Sequence, residues 1–163
     1  MLPRDLPEIT AQLARVAHGL AGALDDLREV SHGIHPAILS EGGLGPALKA
    51  LARRSAVHVE LDVDIEPRLS EPIEVAAYYI VSEALTNAAK HAQASVAHVE
   101  ARTRDGGLHI SVRDDGVGGA DPRQGSGLIG LIDRVEAMGG TISLSSPTGQ
   151  GTSLLVDHPI KGG

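Results

Sequence analysis

The chain has 163 residues, of which 42% are hydrophobic, and its formal net charge at pH 7 is -7. This length is enough for one domain with an extra element and for a substantial core, which must be aliphatic because Phe and Trp are absent. The negative charge and the lack of a basic run argue against a nucleic-acid partner. Without cysteine, disulfides, thiolate metal sites and thiol catalysis are excluded. No signal peptide or membrane-spanning apolar run is apparent, so we expect a cytoplasmic protein with no membrane segment in this chain.

The N-terminal pattern predicts a long helix from about Glu8 to Ile34. Its apolar residues form a heptad seam of the kind that packs against another helix. We interpret it as a bundle helix whose partner lies outside this chain, and an ordinary amphipathic helix packed on its own domain is the alternative. Pro36 ends the helix, because the residue before a proline is pushed out of the α region. The seam consists of Leu13, Leu20, Leu27 and Ile34, with Val16, Ala23 and Val30 three positions after the first three.

The remainder of the chain predicts an α/β fold. Helical periodicity alternates with segments in which every second residue is apolar, which is typical of half-buried strands. The predicted architecture is a two-layer sandwich of a mixed, mainly antiparallel sheet with helices on one face. Helices are predicted at Leu44–Ala56, Glu71–His91 and Ser126–Met138, and strands at Val57–Ile65, Val96–Arg104, Leu108–Arg113, Thr141–Ser146 and Thr152–Asp157.

The first group of candidate site residues lies on the second of these helices. Glu83 and Asn87 are four residues apart, so they lie one turn apart on one face, and His91 continues the row. The amide oxygen of Asn87 could bind Mg²⁺ that is also held by nucleotide phosphates. Glu83 could orient a water or accept a proton, and Lys90 could balance phosphate charge. Taken alone, the same pattern fits a merely polar and solvated helix face.

The second group is Asp114-Asp115-Gly116-Val117-Gly118, which follows a predicted strand. A buried carboxylate at Asp114 could accept a hydrogen bond from an exocyclic amine such as that of adenine. Gly116 and Gly118 permit positive φ and a close approach to a ligand. The alternative is a surface turn rich in Asp and Gly. A calcium loop is poorly supported, because the alternating oxygen ligands and the closing Glu are missing.

A third group, Gly125-Ser126-Gly127-Leu128-Ile129-Gly130, formally matches a dinucleotide fingerprint. A Rossmann site needs a buried strand before the motif and a ribose-binding acid downstream. Here the preceding residues are loop-like and the acid is absent, so the surrounding sequence does not support a Rossmann site. Backbone N–H groups at a helix start nevertheless favour phosphate.

These motifs, followed by Gly151-Thr152, resemble in order and spacing the nucleotide-binding elements of the GHKL ATPases. The junction Ser31-His32-Gly33-Ile34-His35-Pro36, followed by Gly43-Leu44-Gly45-Pro46-Ala47-Leu48, resembles more narrowly the NarL/DesK-type sensor histidine kinases. The resemblance implies a second dimerisation helix and junction over residues 1–42 and an ATP-binding catalytic domain over residues 43–163. It implies ATP and Mg²⁺ as cofactors, a response regulator as partner, and a homodimer in the intact kinase.

The resemblance also assigns roles to the candidate residues. Asn87 would bind Mg²⁺ and Asp114 the adenine amine, while Thr152 would support the adenine side of the pocket. Glu83 occupies the position of the water-activating or proton-accepting acid. Gly116 and Gly118 would start a short lid over ATP, and the glycine turn would close it over the phosphates. The residues expected to contact nucleotide are Asn87, Lys90, His91, Asp114, Gly116, Gly118, Gly125, Gly127, Leu128, Gly130 and Thr152.

One departure from the family concerns the phosphoacceptor. The Arg-x-Leu-His-Asp-like stretch of the family's first dimerisation helix has no counterpart here, and we interpret His18, His32 and His35 as structural or exposed. We therefore expect γ-phosphoryl transfer to a histidine on an upstream helix of the same kinase, missing from this chain. Two alternatives stay open: a serine kinase of the anti-sigma-factor type, and a nucleotide-binding regulatory module without phosphotransfer.

Overall fold

The computed structural model describes residues 9–13, 15–16, 36–121 and 126–160. The chain divides into two compact units, residues 1–35 and residues 36–163. In the first unit, residues 9–13 and 15–16 are helical, and Leu13 and Val16 are exposed. The rest of the predicted seam, the three histidines of that region and the junction before Pro36 lie outside the described residues. Gly125 of the glycine turn lies outside them as well.

The second unit starts with two consecutive helices, α1 (Ala37–Gly42) and α2 (Leu44–Arg54). Gly43 separates them because it adopts a φ of 86°, and its N–H donates to the Leu39 carbonyl at 3.0 Å. The sequence did not predict α1 and assigned residues 36–42 to the N-terminal part. In the structure these residues belong to the second unit, because Leu39 is only 2% exposed and lies in its core.

The sheet has five strands: β1 (His58–Asp64), β2 (Val96–Arg104), β3 (Gly107–Asp114), β4 (Thr141–Ser145) and β5 (Thr152–Pro159). Their order is β1-β2-β3-β5-β4, with β1 parallel to β2 and every other pair antiparallel. The predicted mixed, mainly antiparallel sheet is therefore confirmed. Asp105 and Gly106 join β2 to β3 with φ values of 52° and 73°, the positive pair that a tight hairpin turn requires.

Helices α3 (Glu71–Lys90) and α4 (Ser126–Ala137) complete the unit. Helix α3 begins after Ser70 with a proline in its first turn, has two acidic residues in that turn, and ends with Lys90, all of which suit the helix dipole. Every predicted helix and strand of this unit is present, with ends that differ by at most two residues.

The core lies between the helices and one face of the sheet. It is built almost entirely from aliphatic side chains, such as Leu48, Ile80, Val99 and Leu108, each 1% exposed. Strand β1 is less buried than the alternation predicted, because it is an edge strand that pairs only with β2, and Val59, Leu61 and Val63 are half-buried. None of the described helices is long and apolar enough to span a membrane.

Candidate functional site

A cavity of about 360 Å³ opens beside the C-terminal half of α3 and the end of β3. Its volume falls within the range of roughly 300–1,000 Å³ that is typical of small-molecule sites. It brings together seven of the predicted site residues, six from the three motifs and Thr152 from the Gly151-Thr152 element. The lining consists of Glu83, Ala84, Asn87, His91, Ala92, Val112, Asp114, Gly118, Gly119, Ala120, Asp121, Leu128, Leu144, Thr152 and Leu154.

One wall of the cavity is a row of polar side chains on α3 and at the residue that follows it. Glu83, Asn87 and His91 follow one another at intervals of four residues, and all three line the cavity. Lys90 is exposed and is not part of the lining, although the sequence grouped it with these residues. The wall thus presents a carboxylate, an amide and an imidazole along about two helical turns.

A second wall contains Asp114, the last residue of β3. Its Oδ1 accepts hydrogen bonds from the Gly116 N–H at 2.8 Å and from the Thr152 N–H at 3.3 Å. Within the described part of the chain, Oδ2 has no hydrogen-bond partner. The carboxylate is therefore fixed through one oxygen, and the other is left to accept a hydrogen bond from a ligand.

Three glycines allow the loops of this wall to pass close to other backbone. A Cβ at Gly116 would lie 2.4 Å from the Ala92 carbonyl oxygen, and one at Gly118 would lie 2.1 Å from that of Pro147. A Cβ at Gly151 would lie 2.1 Å from the carbonyl oxygen of Asp114. Since real Cβ atoms do not approach this closely, any side chain at these positions would displace the loop that carries Asp114.

Thr152 and Ser146 connect the loops at the rim. Their hydroxyl oxygens lie 2.7 Å apart, and Ser146 Oγ accepts a hydrogen bond from the Ala120 N–H at 3.0 Å. The Gly119 N–H donates to the Ser146 carbonyl at 2.8 Å. Ser146 was not predicted as a site residue, and its only sequence signal was its position at the end of a predicted strand.

The apolar lining comes mainly from three neighbouring strands. Val112 on β3 pairs with Leu154 on β5, and Leu154 pairs with Leu144 on β4, so the three side chains form a row across the sheet. Ala84 and Leu128 add to this surface. Sequence reasoning did not name the strand residues as site residues, although the alternation of each strand marked them as inward-facing. A surface of this kind can pack against the face of a planar ring.

The glycine turn is only partly within the described residues. Helix α4 begins at Ser126, and Leu128 in its first turn is buried and lines the cavity. Gly130 is exposed, with open space where a side chain would stand, and is not part of the lining. The start of α4 thus reaches the cavity through Leu128, and phosphate binding by this helix start stays a prediction.

Asp115 lies next to the cavity without lining it. Its carboxylate accepts hydrogen bonds from the Ser95 hydroxyl, from the Ser95 N–H at 2.8 Å and from the Val96 N–H at 3.0 Å. These bonds, the Ser95 hydroxyl first among them, lower the pKa of Asp115 from 3.8 to about 2. The sequence offered only its place in the Asp-Asp-Gly motif as a signal.

Comparison with known proteins gives a family match over residues 73–162, to the family described as histidine kinase-, DNA gyrase B-, and HSP90-like ATPase. Among characterised relatives, the chain is 35% identical over 170 residues to the sensor histidine kinase NarS of Mycobacterium tuberculosis. It is 30% identical over 166 residues to the oxygen sensor histidine kinase NreB of Staphylococcus carnosus. Each match covers 96% of this chain but only 40% and 48% of the relative. This chain therefore spans less than half the length of these proteins.

Solved structures agree with the fold. The histidine kinase domain of a blue-light activated histidine kinase from Erythrobacter litoralis matches with a TM-score of 0.61 and 26% identity, over 73% of this chain and 60% of that one. The ATP-binding domain of PrrB from Mycobacterium tuberculosis matches with a TM-score of 0.55 and 23% identity, over 73% and 92%, and supports the fold alone. The resemblance stated from the sequence motifs is thus confirmed.

Proposed function

Because this chain belongs to the family of histidine kinase-, DNA gyrase B- and HSP90-like ATPases, we propose that it is the ATP-binding core of a two-component sensor histidine kinase. The observation that carries the proposal is the convergence of Glu83, Asn87, Asp114 and Thr152 on one cavity. Three separate sequence motifs meet there, and the lining offers both an apolar surface and a fixed carboxylate.

ATP would bind with its base against the aliphatic row and its exocyclic amine at Asp114. The free Oδ2 of Asp114 supports this assignment, because an ionised oxygen accepts from an amine but cannot donate to the carbonyl that guanine has in that place. Thr152 holds Asp114 through its N–H and supports the same side of the pocket. The proposed specificity is therefore for adenine over guanine.

The phosphates would lie toward the α3 wall and the start of α4. The donor set suits Mg²⁺ that arrives with the nucleotide, since Asn87 supplies one amide oxygen and phosphates and waters supply the others. Within the described residues, no group of three or more His, Asp or Glu side chains could hold a metal on its own. When bound, magnesium would neutralise part of the negative charge on the phosphates. His91 borders the cavity and would donate a hydrogen bond to a phosphate oxygen, and Lys90, which does not line the cavity, would balance phosphate charge.

Glu83 is assigned the chemical role. It lies one helical turn before Asn87, lines the cavity, and has no hydrogen-bond partner among the described residues, so it can orient or deprotonate an incoming nucleophile. The proposed nucleophile is a histidine on a dimerisation helix outside these 163 residues, within a homodimer. A response regulator would receive the phosphoryl group next. The cytoplasmic location expected from the sequence stays a prediction.

Nucleotide binding is tested first, by thermal unfolding with ADP and Mg²⁺ and with GDP and Mg²⁺ as the matched control. A ligand present at about 100 times its dissociation constant stabilises a fold by roughly 2.7 kcal/mol. ADP should raise the melting temperature at concentrations at which GDP does not. Equal shifts with both nucleotides would contradict the adenine assignment.

Phosphotransfer is tested by incubating this chain with labelled ATP. The reaction is run with and without an added polypeptide that contains the upstream dimerisation helix and its acceptor histidine. We expect no stoichiometric labelling of this chain alone and acid-labile phosphate on the added helix. Phosphoserine on a partner would favour the serine-kinase alternative. Binding without any transfer would favour a regulatory module.

A further inference from the structure

The segment that carries Asp114 is joined at two points to the connection that runs from the end of α3 to the start of β2. At the first, the Asp115 carboxylate accepts three hydrogen bonds from Ser95 and Val96, which lead into β2. At the second, the Val117 N–H donates to the Ala92 carbonyl at 2.7 Å. Ala92 follows directly after His91, where α3 ends.

Between these two attachment points, the backbone at Gly116 passes close to the backbone of Ala92. Gly116 lies between Asp115 and Val117, and a Cβ there would lie 2.4 Å from the Ala92 carbonyl oxygen. The flanking attachments hold the chain on both sides of this contact, and the Asp115 N–H also donates to the Val96 carbonyl at 3.3 Å. The attachment at Asp115 is the stronger of the two, since an ionised oxygen accepts hydrogen bonds roughly twice as strong as neutral ones.

We propose that Asp115 is a positioning residue that sets the spacing between the two walls of the nucleotide cavity. This inference rests on the proposed function, in which Asp114 holds the base and Asn87 the phosphate-bound metal. Asp115 does not line the cavity, so it acts through the loop between α3 and β2 and through its neighbour Asp114. The affinity for a ligand that contacts both walls should therefore depend on Asp115 more strongly than the affinity for a ligand that contacts only one wall.

The test compares ADP with adenosine, each titrated calorimetrically with Mg²⁺ present. In Asp115→Ala we expect ADP affinity to fall by on the order of 10-fold, the lower end of the loss when an outer support of a metal site is removed. Adenosine affinity should fall less than ADP affinity, because the Gly116 and Thr152 N–H groups still hold the Asp114 carboxylate in this variant. Asp115→Asn should recover most of the ADP affinity, because it keeps one acceptor oxygen for the Ser95 and Val96 amides. Asp157→Ala is the matched control, since Asp157 is an exposed carboxylate that pairs with His109 on the sheet.

A second measurement needs no ligand. Hydrogen exchange of the Val117 amide reports on the second attachment, which Asp115 does not touch directly. This exchange should be faster in Asp115→Ala and unchanged in Asp157→Ala. If Asp115→Ala does not fold, Ser95→Ala removes the hydroxyl donor alone and should shift both readouts in the same direction by a smaller amount.

Equal losses of ADP and adenosine affinity, or unchanged Val117 exchange in a folded Asp115→Ala, would overturn the positioning role. If the unmodified chain binds no ADP, the proposed function fails instead, and the exchange measurement alone still decides whether Asp115 holds the two segments together.

Discussion

Arg68 and Glu74 form an ion pair in which Arg68 Nε lies 3.2 Å from Glu74 Oε1, and their side chains are 55% and 3% exposed. The guanidinium of Arg68 also donates to the carbonyls of Leu39 and Ser40 at 3.3 Å and of Glu41 at 3.4 Å. One exposed cation thus compensates a buried carboxylate on α3 and holds the C-terminal end of α1. This pair explains why residues 36–42 belong to the second unit.

The first prediction concerns this pair. Arg68→Met leaves the buried Glu74 carboxylate without its partner, so the free energy of unfolding should fall by about 2 kcal/mol, within the range for a buried acceptor left unpaired. Arg102→Met breaks an exposed pair with Asp62 and should cost at most about 1 kcal/mol. Urea unfolding followed by circular dichroism suits both variants, because the chain has no Trp. Similar losses of unfolding free energy in the two variants would show that Arg68 does not stabilise the buried Glu74 carboxylate.

The second prediction concerns adenine recognition by Asp114. Asp114→Asn preserves the shape but removes a charge-assisted hydrogen bond worth about 1.5–3 kcal/mol, so ADP should bind roughly 10- to 150-fold more weakly. Calorimetric titration measures this loss. Glu83→Gln should leave ADP affinity nearly unchanged, because Glu83 is assigned to chemistry and not to binding. If Glu83→Gln abolished binding, that division of roles would be wrong.

The third prediction compares two glycines of the turn between β4 and β5. Gly149 and Gly151 have φ values of 79° and 72°, so alanine at either position costs about 1–2 kcal/mol of backbone strain. Only at Gly151 would the new Cβ also meet the Asp114 carbonyl oxygen, at 2.1 Å, whereas nothing lies within 4 Å at Gly149. Gly151→Ala should therefore reduce ADP affinity while Gly149→Ala preserves it. Equal affinities in the two variants would show that the turn does not shape the cavity.

The fourth prediction concerns His158, which is 8% exposed and lines a small apolar cavity together with Val135 and Ile110. Neither ring nitrogen has a hydrogen-bond partner among the residues described, and an unpartnered buried polar group costs about 1–3 kcal/mol. His158→Leu should therefore raise the free energy of unfolding, by about 1 kcal/mol after some loss of packing fit. Urea unfolding at neutral pH tests this, and a destabilised variant would mean that the imidazole has a partner in solution.

The fifth prediction follows from the low pKa of Asp115. Its folded pKa of about 2 lies below the ordinary 3.8, so the unfolded chain binds more protons in this range. The stability that Asp115 contributes is present above pH 3.8 and is lost as the pH falls through about 2. The difference in stability between the unmodified chain and Asp115→Asn should therefore shrink over this interval. Urea unfolding midpoints of both variants, measured at about pH 5, 4 and 3, test this prediction, because these values span the ordinary pKa of an Asp side chain. A difference between the two variants that stays constant over this range would contradict it.

Local sequence signals were sufficient to place every element of the second unit except α1. Alternation in β2 and β3 and the turn at Asp105-Gly106 predicted the hairpin, because side-chain direction in a strand has a period of two. The missed element was α1, since a six-residue helix between Pro36 and Gly43 carries too short a pattern to recognise. Its position depends on Arg68, almost thirty residues later, and no local pattern reveals such a contact.

The features of the candidate site also fall into those that the sequence predicted and those that only the structure revealed. The sequence by itself determined the polar groups and their spacing: Glu83, Asn87 and His91 on one helical row, Asp114 before two glycines, and Gly151 before Thr152. Only the tertiary structure decided that Lys90 and Gly130 do not line the cavity, that Val112, Leu144 and Leu154 form its apolar surface, and that Asp115 joins two of its segments. The physical reason is that spacing along one helix or strand follows from fixed backbone geometry, whereas contacts between strands and loops depend on how separate elements pack.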